Sequence, residues 1–299
     1  MATVAFAVPD DTVLVSDGGL ATELEARGHD LSDPLWSARL LVDAPAEIEA
    51  VHTAFRRAGA VIATTASYQA SFDGFAARGF DRVATTRLLQ RSVQLARAGG
   101  PRWVAASIGP YGAALADGSE YRGRYGLPVA ALAAWHRPRL QVLAAAGPDV
   151  LALETVPDLD EAEALVGVLA EAGVPAWLSY TIDGDRTRAG QPLREAFAVA
   201  AGVPQLVAVG VNCCSPADVL PAIAVAAEVT GKPVIVYPNS GERWEHGRWV
   251  GRPQFRAELA ADWVAAGARI IGGCCRVGPA DIAAVARAVD SASRAQKCE

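Results

Sequence analysis

Apolar residues along this chain alternate between two patterns. Short runs rich in Val, Ile, Leu and Ala occupy residues 12–16, 60–65, 102–107, 149–154, 175–182, 205–213, 233–237 and 269–273. Longer Ala/Leu/Glu/Arg stretches separate them, at residues 46–58, 81–98, 129–146, 159–172, 192–200, 217–230 and 253–266, and a last one covers 279–295. A short apolar run bounded by turn residues predicts a buried strand, and the longer mixed stretches predict helices. Glycine steps such as Ala58-Gly59-Ala60, Ala172-Gly173-Val174 and Ala266-Gly267-Ala268 sit where helices should stop.

Strand–helix alternation repeated eight times over 299 residues predicts parallel βαβ units closed into a (β/α)8 TIM barrel, one α/β domain spanning 1–299. An open doubly wound sheet is the alternative. It more often has five or six units, and no GxGxxG follows the first strand. A barrel places its active site at the C-terminal strand ends. The polar residues fall there: Asp17-Gly18-Gly19 after strand one, Thr64 to Gln69 after strand two, Ser107 to Tyr111 after strand three, Glu154-Thr155 after strand four and Tyr237 to Glu242 after strand seven. Two long irregular stretches, 29–45 and 109–128, leave the same face and carry Trp36, Tyr111, Tyr121 and Tyr125. Long loops in a compact domain are usually functional.

Composition narrows the choices. The hydrophobic fraction of 52% supports a substantial core. A net charge of −6, with lysines only at Lys232 and Lys297, offers no basic face for nucleic acid. The amino terminus does not read as a signal peptide, and no apolar run approaches the roughly 18 residues of a membrane span. The expected setting is cytoplasmic, where cysteines stay reduced and metal or catalytic roles are favoured over disulfides. Nothing marks an oligomerisation element, so a monomer or small homo-oligomer is the default.

Four of the five cysteines form two neighbouring pairs, Cys213-Cys214 and Cys274-Cys275, ending strands six and eight. Thiols gathered at strand ends suggest a soft metal, with zinc the default; the bland alternative is small buried hydrophobes. No histidine is well placed as a ligand: His29 and His246 fall in loops, and His52 and His136 read as ordinary helix-face residues. Cys298 lies in the tail and reads as incidental. Three thiolates around a zinc leave one tetrahedral position open, which marks a catalytic site and suits the binding and deprotonation of a substrate thiol. A metal-free aldolase-type barrel would need a lysine at a C-terminal strand end, and Lys232 precedes strand seven instead.

At these residues the chain resembles the homocysteine S-methyltransferase family. The likeness runs from Asp17 to about Val285 and rests on Asp17-Gly18-Gly19-Leu20-Ala21-Thr22-Glu23-Leu24, Leu153-Glu154-Thr155, Gly210-Val211-Asn212-Cys213-Cys214, Tyr237-Pro238-Asn239-Ser240-Gly241-Glu242 and Gly272-Gly273-Cys274-Cys275. The resemblance implies a (β/α)8 barrel and one zinc per chain held by Cys213, Cys274 and Cys275, with Cys214 a bystander. It implies that Asp17 and Glu154 hold the homocysteine ammonium, that Gly19 and Leu20 offer backbone amides to its carboxylate, and that Asn239 belongs to the substrate site. Asn212 is expected to orient the cysteine turn. Trp36, Tyr68, Tyr111 and Tyr237 are the candidates to face a cationic donor. The implied reaction moves a methyl group from a sulfonium donor, S-methylmethionine or S-adenosylmethionine, to homocysteine, giving methionine. Betaine as donor, selenocysteine as acceptor, or a non-catalytic zinc-binding barrel are the alternatives.

Overall fold

The computed structural model describes residues 6–245 and 248–296. His246 and Cys298 lie outside the described residues, as do the first five positions. Every predicted strand forms: β1 (Leu14–Val15), β2 (Ile62–Thr64), β3 (Trp103–Ile108), β4 (Val150–Val156), β5 (Ala176–Tyr180), β6 (Leu206–Asn212), β7 (Val234–Tyr237) and β8 (Ala268–Ile271). They form one sheet in the order β1-β8-β7-β6-β5-β4-β3-β2, with all pairings parallel. The Ser16–Ile62 bridge and the 2.8 Å bond from Val61 N to Val15 O join the two ends, so the sheet closes into a barrel. The expected helices follow, including Pro45–Arg57, Arg82–Ala98, Val129–Ala145, Leu159–Leu169, Val219–Thr230 and Pro279–Gln296. The two long stretches are not wholly irregular, since each folds into short helical turns, Trp36–Arg39 with Leu40–Asp43 and Tyr111–Leu115 with Ser119–Tyr121.

Strand side chains alternate between two faces, and here both faces are buried. The outer row, including Val104, Leu151, Leu178, Val209, Val236 and Ile271, packs against the helices. The inner row is a separate core of Leu14, Ile62, Trp103, Ala105, Val150, Ala152, Trp177, Ala208, Ile235 and Ile270, which Phe6 joins. Phe6 meets the Trp103 ring edge-on with centroids 5.5 Å apart. Further along six of the strands, two residues on in five of them and four on in β6, the same inner row changes character: Ser16, Thr64, Ser107, Glu154, Ser179 and Asn212. The barrel interior is therefore apolar below and polar at the end where the strands finish. That polar layer is the floor of the functional site.

Candidate metal centre and substrate site

β6 and β8 are separated in the sheet by β7. The segment following β7 laces the two cysteine turns together through main-chain hydrogen bonds. Cys213 N donates to Tyr237 O, Asn239 N to Cys214 O, Cys274 N to Pro238 O and Ser240 N to Cys275 O, all between 2.8 and 3.2 Å. Cys213 adopts a left-handed backbone (φ 48°) at the strand end, which turns it off the strand direction. As a result the sulfurs of Cys213, Cys274 and Cys275 lie within 4.8 Å of one another, the one such group among the described residues. Three sulfurs at a tetrahedral zinc, with Zn–S near 2.3 Å, stand about 3.8 Å apart, so the cluster fits that ion.

Cys213 and Cys274 are paired here as a disulfide across 61 residues of sequence, with Cα atoms 5.6 Å apart. This departs from the expectation of reduced thiols. Barrel closure alone brings the two strand ends to bonding distance. The disulfide and a metal-holding thiolate pair are alternative states of the same sulfurs. Cys214 points into the outer core, 1% exposed, and burial pushes its thiol up to about 12, which suits a bystander. Cys275 is reduced; burial pushes it up to about 11, opposed by a hydrogen bond from the Tyr121 hydroxyl.

The glycines beside these turns are there because backbones touch. A Cβ on Gly18 would lie 2.4 Å from Val277 O, and one on Gly19 2.5 Å from Cys274 O. Gly272 and Gly273 are equally confined, against Asp17 O and the Val277 side chain; neither has a positive φ, so close approach rather than a special turn requires them. The Gly19 N–H already donates to Val277 O at 2.9 Å. It is therefore not free for a substrate carboxylate, and Leu20, the first residue of the helix Leu20–Ala26, is the amide left for that role.

Asp17 and Glu154 are 4% and 6% exposed. Asp17 accepts from Thr64 N (2.7 Å), Thr64 Oγ1 (3.0 Å) and Ser16 Oγ (3.3 Å). Burial pushes its carboxyl up to about 7 against the pull of the Thr64 bonds, and the nearby charge of Glu154 adds to the rise. Glu154 is likewise pushed up to about 7 by burial, opposed by the hydrogen bond from Ser107 Oγ and by the nearby Tyr237 hydroxyl. Two buried carboxylates this close cannot both ionise cheaply without a cation, and an ammonium supplies one.

Tyr237 thus has a different place from the one expected of it. Its hydroxyl meets Trp177 Nε1 (3.0 Å) and Ser179 Oγ (2.6 Å) inside the barrel, under Glu154, so it orients the carboxylate rather than facing a donor. Asn239 is also more bracket than binding group, because its Oδ1 accepts from Cys275 N at 3.1 Å. Asn212 is structural, as expected, but what it braces is Thr155 rather than the cysteine turn. Its side chain accepts from Thr155 N (2.8 Å) and donates to Thr155 Oγ1 (2.7 Å). Thr155 is held at φ 58°, an uncommon conformation for a β-branched residue, where β4 loses register with β5.

The remaining aromatic candidates share the loops after β1, β2 and β3. Trp36 and Tyr68 meet edge-on at 6.2 Å, and Tyr111 packs on Tyr125 and Trp135. Beneath them lies a buried network that the sequence did not reveal. Arg139, 1% exposed, donates to the carbonyls of Tyr68 and Ala70 at 3.4 Å and to that of Gly109. Glu161, fully buried, accepts from Tyr111 N (2.5 Å), His136 Nε2 (2.8 Å) and the Tyr125 hydroxyl (3.2 Å). His136 Nδ1 faces Arg139 at 3.2 Å and must accept there, so Nε2 carries the proton. Burial holds this imidazole below its ordinary pKa. His136 is therefore a network member, not an ordinary helix-face residue. Tyr121, with no role expected of it beyond the loop, is the aromatic residue whose hydroxyl bears on the Cys275 thiol.

The homocysteine S-methyltransferase family profile matches residues 14–289. A homocysteine S-methyltransferase of Escherichia coli is 48% identical, over 91% of this chain and 94% of the relative. A selenocysteine Se-methyltransferase of Brassica oleracea is 41% identical, over 91% and 87%. The solved E. coli homocysteine methyltransferase superposes in its metallated form with TM-score 0.83 at 46% identity, covering 93% of this chain and 96% of that one. Its oxidized form gives 0.82 at 48% identity, covering 91% and 94%.

Proposed function

The chain belongs to the homocysteine S-methyltransferase family, and from that premise we propose that it moves a methyl group from a sulfonium donor, S-methylmethionine or S-adenosylmethionine, to the thiol of L-homocysteine, giving methionine. The observation that carries the reading is the convergence of Cys213, Cys274 and Cys275 beside two buried carboxylates. Zinc, one per chain, is the ion that this all-sulfur donor set suits. When bound it would take the substrate thiol at its open position and lower that thiol's pKa from about 8.5, so that a nucleophile exists at neutral pH. A cytoplasmic setting would keep the ligand thiols reduced.

The protein's own residues position the reactants. Asp17 and Glu154 take the ammonium of homocysteine in charge-assisted hydrogen bonds, with Ser107, Tyr237 and Thr64 fixing the two carboxylates. The Leu20 amide is offered to the carboxylate end. Asn239 and the main-chain bonds around Pro238 and Ser240 hold the backbone of the cysteine turns. The whole chain acts as one barrel domain on small molecules. Holding acceptor sulfur and donor methyl in line adds to thiol activation in a displacement of this kind.

The test is zinc content per chain after purification under reducing conditions without chelator. It is followed by parallel methionine assays with S-methylmethionine, S-adenosylmethionine and betaine. About one equivalent of zinc and turnover with a sulfonium donor are expected. Less than half an equivalent rejects the metal, and turnover with betaine alone rejects the donor class. The likeness to a selenocysteine Se-methyltransferase supports a second acceptor, so selenocysteine belongs in the same assay.

A further inference from the structure

Two opposite charges near the cysteine cluster carry buried atoms without partners. Glu120, in the turn Ser119–Tyr121 after β3, has an Oε2 that is buried and accepts no hydrogen bond. Arg188, in the loop after β5, has a buried Nε that donates to nothing. Its closest carboxylate is the exposed Asp183, at 4.0 Å, the outer limit of an ion pair. The two come from different loops but flank one side chain. The Arg188 guanidinium carbon stands 5.9 Å from the Tyr121 ring centre, and both Glu120 and Arg188 act electrostatically on the Tyr121 hydroxyl. Tyr121 and Glu120 both act electrostatically on Cys275, and Glu120 also on Tyr68.

Both side chains are part-buried, Arg188 30% exposed, but a buried polar atom without a partner is costly, so one on an anion and one on a cation flanking the same ring point to a ligand with complementary ends. Asp17 and Glu154 already account for the ammonium of the acceptor. Both sulfonium donors considered above carry a second α-amino acid end, an ammonium and a carboxylate on a short chain from the sulfonium. We infer that Glu120 and Arg188 form a second amino-acid clamp, for the donor: Glu120 takes the donor's α-ammonium and Arg188 its α-carboxylate, with Tyr121 between them. The inference rests on the proposed sulfonium-dependent methyl transfer and adds to it the part of the donor that is recognised. Betaine's α-nitrogen is a quaternary ammonium with no N–H to give Glu120 and is itself the methyl-bearing centre, which is a physical reason for a preference against it.

The experiment uses the full chain loaded with zinc, comparing wild type with Glu120→Gln and Arg188→Gln. Three quantities are read for each: KM for S-methylmethionine, KM for homocysteine, and zinc per chain. Each variant removes one charge-assisted hydrogen bond to the donor, which should raise the donor KM about tenfold, with homocysteine KM and zinc content unchanged. A donor KM that moves less than threefold in Glu120→Gln overturns the clamp, as does an equal rise in the homocysteine KM. Loss of zinc from either variant would show that the residue holds the cysteine cluster instead, and also overturns it. A wild-type enzyme that forms no methionine from either sulfonium donor sinks the functional reading itself; normal wild-type turnover with unaffected variants sinks only the clamp.

Discussion

The acceptor half of the rim and the donor half are held by different kinds of contact. On the acceptor half, the cysteine turns and Asp17 follow their strands directly, and main-chain hydrogen bonds fix them to one another through Pro238, Ser240 and Val277. On the donor half, Trp36, Tyr68, Tyr111 and Tyr121 ride on long segments after β1, β2 and β3. Side chains from the helices outside the barrel hold the segments after β2 and β3, Arg139 and His136 from Val129–Ala145 and Glu161 from Leu159–Leu169. Backbone contacts depend little on which side chains are present. Side-chain networks change with single substitutions. On the proposed reading, the acceptor chemistry is thus built into the barrel, while donor recognition is open to adjustment.

The largest effect should come from the cysteines. Cys274→Ala removes one of three ligands and is expected to lose zinc and activity by about a thousandfold or more, whereas Cys214→Ala, buried in the outer core, keeps most of both and loses about 1 kcal/mol of stability. Metal analysis with turnover separates them, and zinc-dependent activity in Cys274→Ala would show that the acceptor half is held otherwise.

The carboxylate pair comes next. Glu154→Gln should raise the homocysteine KM about a hundredfold while leaving the donor KM alone. Asp17 and Glu154 have folded-state pKa values raised to about 7 from 3.8 and 4.5. Such groups favour the folded state fully below their unfolded values, and that contribution is lost as pH rises through about 7. Metal-free protein should therefore melt lower at pH 8 than at pH 5. Glu154→Gln should flatten that slope and raise the melting temperature at pH 8. A slope unchanged by the substitution contradicts the assignment.

The smallest functional effect should come from the donor half. Glu161→Gln removes the charge facing His136 and Arg139, and should cost about 3 kcal/mol in denaturant unfolding. It should raise the S-methylmethionine KM by about tenfold at most, with zinc and homocysteine KM unchanged. Equal movement of both KM values would erase the distinction between the halves.

How much could be read in advance follows the same division. The eight strands were legible because each is buried on both faces and so carries a continuous apolar run. That Cys213, Cys214, Cys274, Cys275, Asp17 and Glu154 share one rim was legible because a barrel puts strand ends there; the choice among the thiols came from the family resemblance. The errors came where a side chain's partner lies far away in sequence. Tyr237 looked like a donor aromatic, but the fold sets its hydroxyl under Glu154; Gly19 looked like an anion-binding amide, but Val277 O occupies it. Glu161 reads as an ordinary first-turn acid three residues after the cap Asp158, and only the fold buries it completely.

By itself, then, the sequence determined the barrel, the rim, and which thiols and carboxylates stand on that rim, because strand periodicity and strand-end placement are local properties. The tertiary structure decided which of those groups touch. It set the cysteine sulfurs within reach of one another and turned Cys214 into the core. It placed Tyr121 on Cys275 and left Glu120 and Arg188 beside the same ring with buried atoms unsatisfied. Those outcomes depend on barrel closure and loop packing across tens of residues, where burial and hydrogen-bond satisfaction are settled together and no local pattern records them.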